Sequence, residues 1–168
     1  HISNAYLREL IPRGSIVESF LFYSGQIELS LCEHHRFVHA HTTNYPIYEF
    51  WSFLAKDADR IYGTLTADVF KFESENMYNI LQERWPTYEN PYVRAALFFL
   101  LNRCSSKGLP SKGVLDTDNF TAAALNLLRK YRAPDNFYLE LNRKEAVEDT
   151  LADTNASDFF LLPLLNFD

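Results

Sequence analysis

The sequence predicts an α/β fold in which four parallel strands carry a helical excursion. Three observations predict it. Short β-branched or aromatic runs alternate with helical segments at both ends of the chain. The stretch between them shows helical spacing only. Strands separated by helices are joined by right-handed parallel connections, and four such strands favour the order 3-2-1-4, with the switch point between the first and fourth. A ligand of such a sheet belongs at the carboxyl ends of the strands.

Each element has a local reason. A short amphipathic helix is expected over residues 4–10, stopped by Pro12. Residues 15–22 read as a strand bounded by Gly14 and the Ser24-Gly25 turn. Residues 25–33 follow as a helix on the strand–turn–helix pattern, and 36–41 as the second strand. Asn44 is a good N-cap with Pro46 in the first turn, and Ile47, Phe50, Trp51 and Leu54 then recur at helical spacing. Met77, Ile80, Leu81 and Trp85 mark another helix, stopped by Pro86. Asn90-Pro91 opens a third, whose run 93–101 is apolar nearly all round, the mark of a central buried helix rather than a partner-binding one. Residues 105–118 form a loop, and Asn119 caps a helix running to about Arg132. The end returns to alternation, with a strand at 137–141, a short helix at 144–151 and a buried strand at 158–162.

Composition narrows the function. The chain has 168 residues, enough for a single domain spanning 1–168 with its own core, with 57–118 as the helical insert. Five glycines argue against a Gly-rich cofactor loop, and a formal net charge of -6 means that nucleic-acid binding needs a local basic patch. Cys32 and Cys104 lie in no paired motif, so reduced thiols in a cytoplasmic setting are expected, and Cys104 has no nearby His to make it a nucleophile. No apolar stretch is long enough to span a bilayer, and no signal peptide or membrane role is expected.

Two histidine pairs stand out. His34 and His35 are adjacent, and His39 and His41 alternate on one strand face, which makes half a metal site. Glu33 is near, but no Cys or carboxylate pattern completes it at standard spacing, so no metal is expected and the histidines read as an exposed turn and a strand end. Arg129, Lys130 and Arg132 read as a solvated helix end favoured by the helix dipole.

Several stretches resemble the Dam-like (D12-class) DNA adenine-N6 methyltransferases. Ile16-Val17-Glu18-Ser19-Phe20, followed by residues 26–31, falls where that family has a strand and a Glu-Pro-Phe-x-Gly-x-Gly motif. His41-Thr42-Thr43 and then Phe50-Trp51 stand where the family has Asp-Ile-Asn and a Leu-Tyr or Phe-Trp pair. The most specific match is Arg94-Ala95-Ala96-Leu97-Phe98-Phe99-Leu100-Leu101-Asn102-Arg103-Cys104-Ser105-Ser106-Lys107-Gly108, which resembles Arg-Ala-x-x-Phe-x-x-Leu-Asn-Arg-x-x-x-Asn-Gly. The resemblance implies a Rossmann-like methyltransferase core, with the helical insert as a DNA-recognition subdomain.

The residues that would carry chemistry differ. Of the S-adenosylmethionine motif, Glu18, Phe20 and Gly25 remain as a remnant, while Phe22 and Tyr23 bring bulk to the turn. The family's ribose-binding acid is replaced by His41 or Thr42. Its catalytic Asp-Pro-Pro-Tyr falls on Leu162-Pro163-Leu164-Leu165, and a leucine cannot accept a hydrogen bond from the adenine amino group. Asp158 lies too early on the strand to stand in, and Asp168 lies beyond it. Side chains of Phe22-Tyr23 and Phe159-Phe160 are expected to fill the disused cavity, since burying each recovers on the order of 1–3 kcal/mol.

The expectation is therefore a catalytically inactive methyltransferase-like protein with no cofactor, acting by binding DNA or a protein partner. Asn102, Arg103, Lys107 and Lys112 are the DNA-contact loop the resemblance implies, and a flexible Gly/Ser loop with Arg and Lys suits phosphate. Two alternatives stand beside it: a divergent but active S-adenosylmethionine-dependent adenine methyltransferase, and a structural or regulatory subunit of an active one. The fourth strand is the last the sequence offers, where the family continues with three more.

Overall fold

A computed structural model of the chain describes residues 4–67, 74–143 and 157–162. The chain divides into two compact units, residues 1–48 with 133–168, and residues 49–132.

The first unit holds α1 (Asn4–Leu10), β1 (Ile16–Ser19), α2 (Gln26–Glu33), β2 (Phe37–Thr42), β3 (Phe137–Leu141) and β4 (Phe159–Leu161). Its four strands form one parallel sheet in the order β3-β2-β1-β4, the order the sequence predicts, and so build a Rossmann-like core. β1 ends earlier than expected. After Ser19 the chain keeps a single ladder bond, Phe20 N to Leu161 O at 2.9 Å, and the Leu21 amide turns back to Ser19 Oγ at 3.3 Å. The helix expected at 144–151 lies outside the described residues.

Alternation along the strands gives the sheet two unlike faces. Val17, Val38 and Ala40 are fully buried on the face that carries α2, where Leu31 and Cys32 are buried as well. Ser19 shares that face, and its hydroxyl donates to the buried Glu28 carboxylate of α2 at 2.7 Å. The other set, Glu18, His39, His41, Tyr138 and Glu140, stands in register across β1, β2 and β3.

The α2–β2 corner explains the first histidine pair. His35 has φ 68. It sits where a Schellman cap needs a left-handed residue, with His35 N bonded to Cys32 O and Arg36 N to Leu31 O. Arg36 is buried and its guanidinium donates to the carbonyls of Arg8, Ile11 and His34, satisfying the end of α1. The pair is thus a turn, with His35 exposed, as the sequence suggests.

The second unit is helical: α3 (Tyr45–Lys56, from residue 49 onward), α4 (Ala58–Thr66), α5 (Glu75–Arg84), α6 (Pro91–Arg103) and α7 (Ala122–Lys130). Asn90 caps α6 through Tyr92 N at 2.9 Å, and residues 95–101 are buried without interruption, which makes α6 the predicted central helix. Phe98 meets Phe50 at 5.1 Å and Trp85 at 5.8 Å. Two details correct the expectation. α4 was not anticipated: only Ala58, Ile61 and Leu65 mark its buried face and Gly63 interrupts it, yet Asp57 caps it through Arg60 N at 3.1 Å. α7 is capped by Thr121, through Ala124 N at 3.1 Å, and not by Asn119. Among the described residues no helix is long and apolar enough to cross a membrane.

Candidate functional site

Parallel register gathers a polar cluster on the second face of the sheet. Glu18 of β1 pairs with His39 of β2, and His41 pairs with Glu140 of β3. Glu18 Oε1 accepts from His39 Nδ1 at 3.1 Å and from Ser157 Oγ at 2.9 Å. Its Oε2 accepts from His41 Nε2 at 2.5 Å. The far side of each ring is also held: His39 Nε2 donates to Glu140 Oε2 and His41 Nδ1 to Asn142 Oδ1, both at 2.7 Å. The two imidazoles stand 4.1 Å apart, and Phe20 stacks on His41 at 4.5 Å with 6° between the planes.

Burial shapes the electrostatics. Glu18 and His41 are buried, whereas His39 and Glu140 are part-exposed. Burial by itself pushes the Glu18 carboxyl up, but hydrogen bonds from His41 and Ser157 and the charge of His39 outweigh it and hold the group below its ordinary value. On the other face the balance reverses: burial pushes Glu28 up and the Ser19 hydroxyl only partly opposes it. Both cysteines are buried, and burial lifts each thiol to about 11, so neither is a ready nucleophile.

Of the three residues expected to be left from a cofactor motif, Glu18 and Phe20 belong to this cluster. Gly25 keeps a left-handed conformation, φ 74, at the start of α2. Phe22 is buried and its ring meets that of Phe137, the first residue of β3, at 5.7 Å. Tyr23 and Phe160 do not fill anything, being 42% and 41% exposed, and Phe159 is half-buried. The side chain that instead packs against the carboxyl end of β2 is Phe20. Leu162 is exposed, and Pro163, Leu164 and Leu165 lie outside the described residues. Asp158 accepts from Ile16 N at 2.9 Å, at the opposite end of β1, in keeping with its early position.

The loop after α6, in the second unit, is more ordered than a flexible Gly/Ser segment. Ser105 is buried; its hydroxyl donates to Lys112 O and accepts from Lys107 N at 3.1 Å. Ser106 N reaches Val114 O, and Asp116 N reaches Cys104 O at 2.8 Å. Asn102 Nδ2 donates to Gly108 O at 2.8 Å, and the Arg103 guanidinium lies 5.6 Å from the centre of the Phe99 ring. Lys107 and Lys112 are exposed. The second basic cluster behaves as a helix end: Arg132 donates to Arg129 O and Tyr131 O, and Arg129 pairs with Asp59 at 3.3 Å.

No protein-family model and no curated protein matches the chain. Function therefore rests on these two sites. Sequence reasoning singled out the four loop residues and Glu18. It read His39 and His41 as an exposed strand end that no carboxylate completes, and the structure corrects this: His41 is buried and Glu18 faces both rings. Sequence reasoning missed Glu140, Asn142 and Ser157. Glu140 of β3 and Asn142, the residue just past its end, are two apart as His39 and His41 are on β2, but only the register makes them neighbours.

Proposed function

We propose that the chain is a methyltransferase-like protein that transfers no methyl group and binds duplex DNA through the loop after α6. The observation that carries this reading is the braced loop itself. Ser105 and Asn102 fix its backbone from inside, so Lys107 and Lys112 project from an ordered frame at a lower entropic cost than a mobile loop would incur. The absence of methyl transfer is supported at the carboxyl ends of the two central strands. There Phe20 and His41, tied to Glu18, take up the carboxyl end of β2, the part of the fold where a ribose would be gripped.

An acidic chain with few phosphate contacts binds DNA weakly and with strong salt dependence. Two to four contacts give a slope of log K against log salt of roughly -2 to -4. The test is binding of the whole chain to a labelled duplex at low salt, with the double variant Lys107→Glu and Lys112→Glu alongside. Loss of binding in the variant is expected. Equal binding by both, or none by either, overturns the DNA assignment. Calorimetry with S-adenosylmethionine should give no heat, and micromolar binding would restore an active enzyme.

A further inference from the structure

We infer that Glu18, His39 and His41 form a binding site for one divalent transition-metal ion of the zinc class. The inference stands apart from DNA binding and concerns the sheet alone.

The donor set comes first. One ligand atom from each of the three residues lies within 4.8 Å of the other two. The atoms that face one another are His39 Nδ1, His41 Nε2 and the two Glu18 oxygens, at 3.1 and 2.5 Å. Ligands on a tetrahedral zinc stand roughly 3.3–3.5 Å apart, given metal–ligand distances of about 2.0–2.2 Å. The contacts need to open by less than ~1 Å to admit an ion. Two imidazoles and a carboxylate suit zinc, cobalt, nickel or iron, whereas magnesium and calcium prefer oxygen ligands throughout.

The surroundings are those of metal-bound histidines. Such a residue almost always donates its other ring N–H to a carboxylate or carbonyl oxygen, which fixes the tautomer and turns the lone pair toward the metal. Both rings satisfy this: His39 through Glu140, His41 through Asn142, each at 2.7 Å. With those protons assigned, the nitrogens facing Glu18 carry lone pairs, and lone pairs opposite a carboxylate need positive charge between them. A single divalent ion supplies it with one centre and the same directions. Ser157 orients the carboxylate from the other side, 2.9 Å from Oε1, and the stacked Phe20 holds the plane of His41. A half-exposed His39 leaves a way in.

The experiment uses the whole chain, stripped with a chelator and titrated with Zn2+ by calorimetry, and with Co2+ for its visible absorption. One ion per chain is expected, with Zn2+ displacing Co2+ and raising the melting temperature. His39→Gln should weaken binding by at least 100-fold. Glu140→Gln, which acts on the ion through the rings it faces, His39 at 2.7 Å and His41 at 3.7 Å, should weaken it 10–100-fold. The pair His34→Gln and His35→Gln should leave it unchanged. His41→Gln is informative only if circular dichroism shows it folded, and the two part-exposed positions decide the matter otherwise. Absence of stoichiometric Zn2+ binding overturns the inference, as does binding that His39→Gln and Glu140→Gln leave intact.

Discussion

Arg94 opens the stretch that most resembles the adenine methyltransferases, and the structure gives it a framework task that can be measured. Its Nε and Nη2 donate to the two oxygens of Glu49 at 2.7 and 2.8 Å, and Nη1 donates to the carbonyls of Tyr88 and Glu89 at 2.6 and 2.9 Å. One side chain thereby ties α3, α6 and the turn before α6. Glu49 is only 4% exposed, so Arg94→Met leaves a buried carboxylate without its guanidinium. Breaking such a pair from one side costs about 3–5 kcal/mol. At ~2–4 °C per kcal/mol for a chain of this size, the melting temperature should fall by roughly 6–20 °C. Replacing both partners, Glu49→Leu with Arg94→Met, should recover most of the loss, because an apolar pair of similar volume is often neutral or better. The assay is thermal and urea unfolding followed by circular dichroism. A single-variant loss below about 1 kcal/mol, or a double variant no better than the single, would refute the claim that burial makes this pair costly to break.

The remaining predictions concern one carboxylate and one loop. Glu28 is pushed up by burial on folding, so its contribution is complete below the unfolded carboxyl range and is lost as pH rises through the raised folded value. Glu28→Gln keeps an acceptor for Ser19 and should flatten the urea midpoint against pH, gaining on the parent at neutral pH; parallel profiles would count against it. Gly113 has φ +93, and a Cβ there would stand 2.5 Å from Ser105 Oγ and 3.0 Å from Lys107 N. Gly113→Ala should cost about 1–3 kcal/mol and speed amide exchange at Ser106 and Val114. Gly108→Ala, with φ +63 but open space around it, should cost less, and the reverse ranking would show that the Ser105 hub does not hold the loop.

The fold was legible because its signals are local. Gly14, Ser24-Gly25 and Pro12 punctuate the first unit, and the parallel order follows from right-handed connection once strands and helices alternate. Asn90-Pro91 and an all-apolar run announce α6. The failures were local as well. α4 shows three buried positions in nine residues, below what periodicity alone detects, and what establishes it is the Asp57 cap and packing within the helical unit. Thr121 outcompeted Asn119 as a cap because its hydroxyl, two residues later, reaches the free amide of Ala124.

The cluster on the sheet was half legible, for a reason that is general to parallel sheets. Strand alternation alone places His39 and His41 on one face, since a period of two needs no knowledge of neighbours. Completing the site needs the register of β2 against β1 and against β3, and β3 lies about a hundred positions further along the chain. Metal-site spacing rules describe ligands on one turn, hairpin or helix, and they cannot see a carboxylate brought alongside by a parallel neighbour. Glu18 was visible from the start, but as the remnant of a cofactor motif. Both oxygens of Glu18 bond to histidines, so a ligand that needed this carboxylate and a metal ion held by it would exclude each other. That exclusivity can be measured: if S-adenosylmethionine binds through Glu18, Zn2+ should compete with it, and heat from S-adenosylmethionine that Zn2+ leaves unchanged would place the two ligands at different residues.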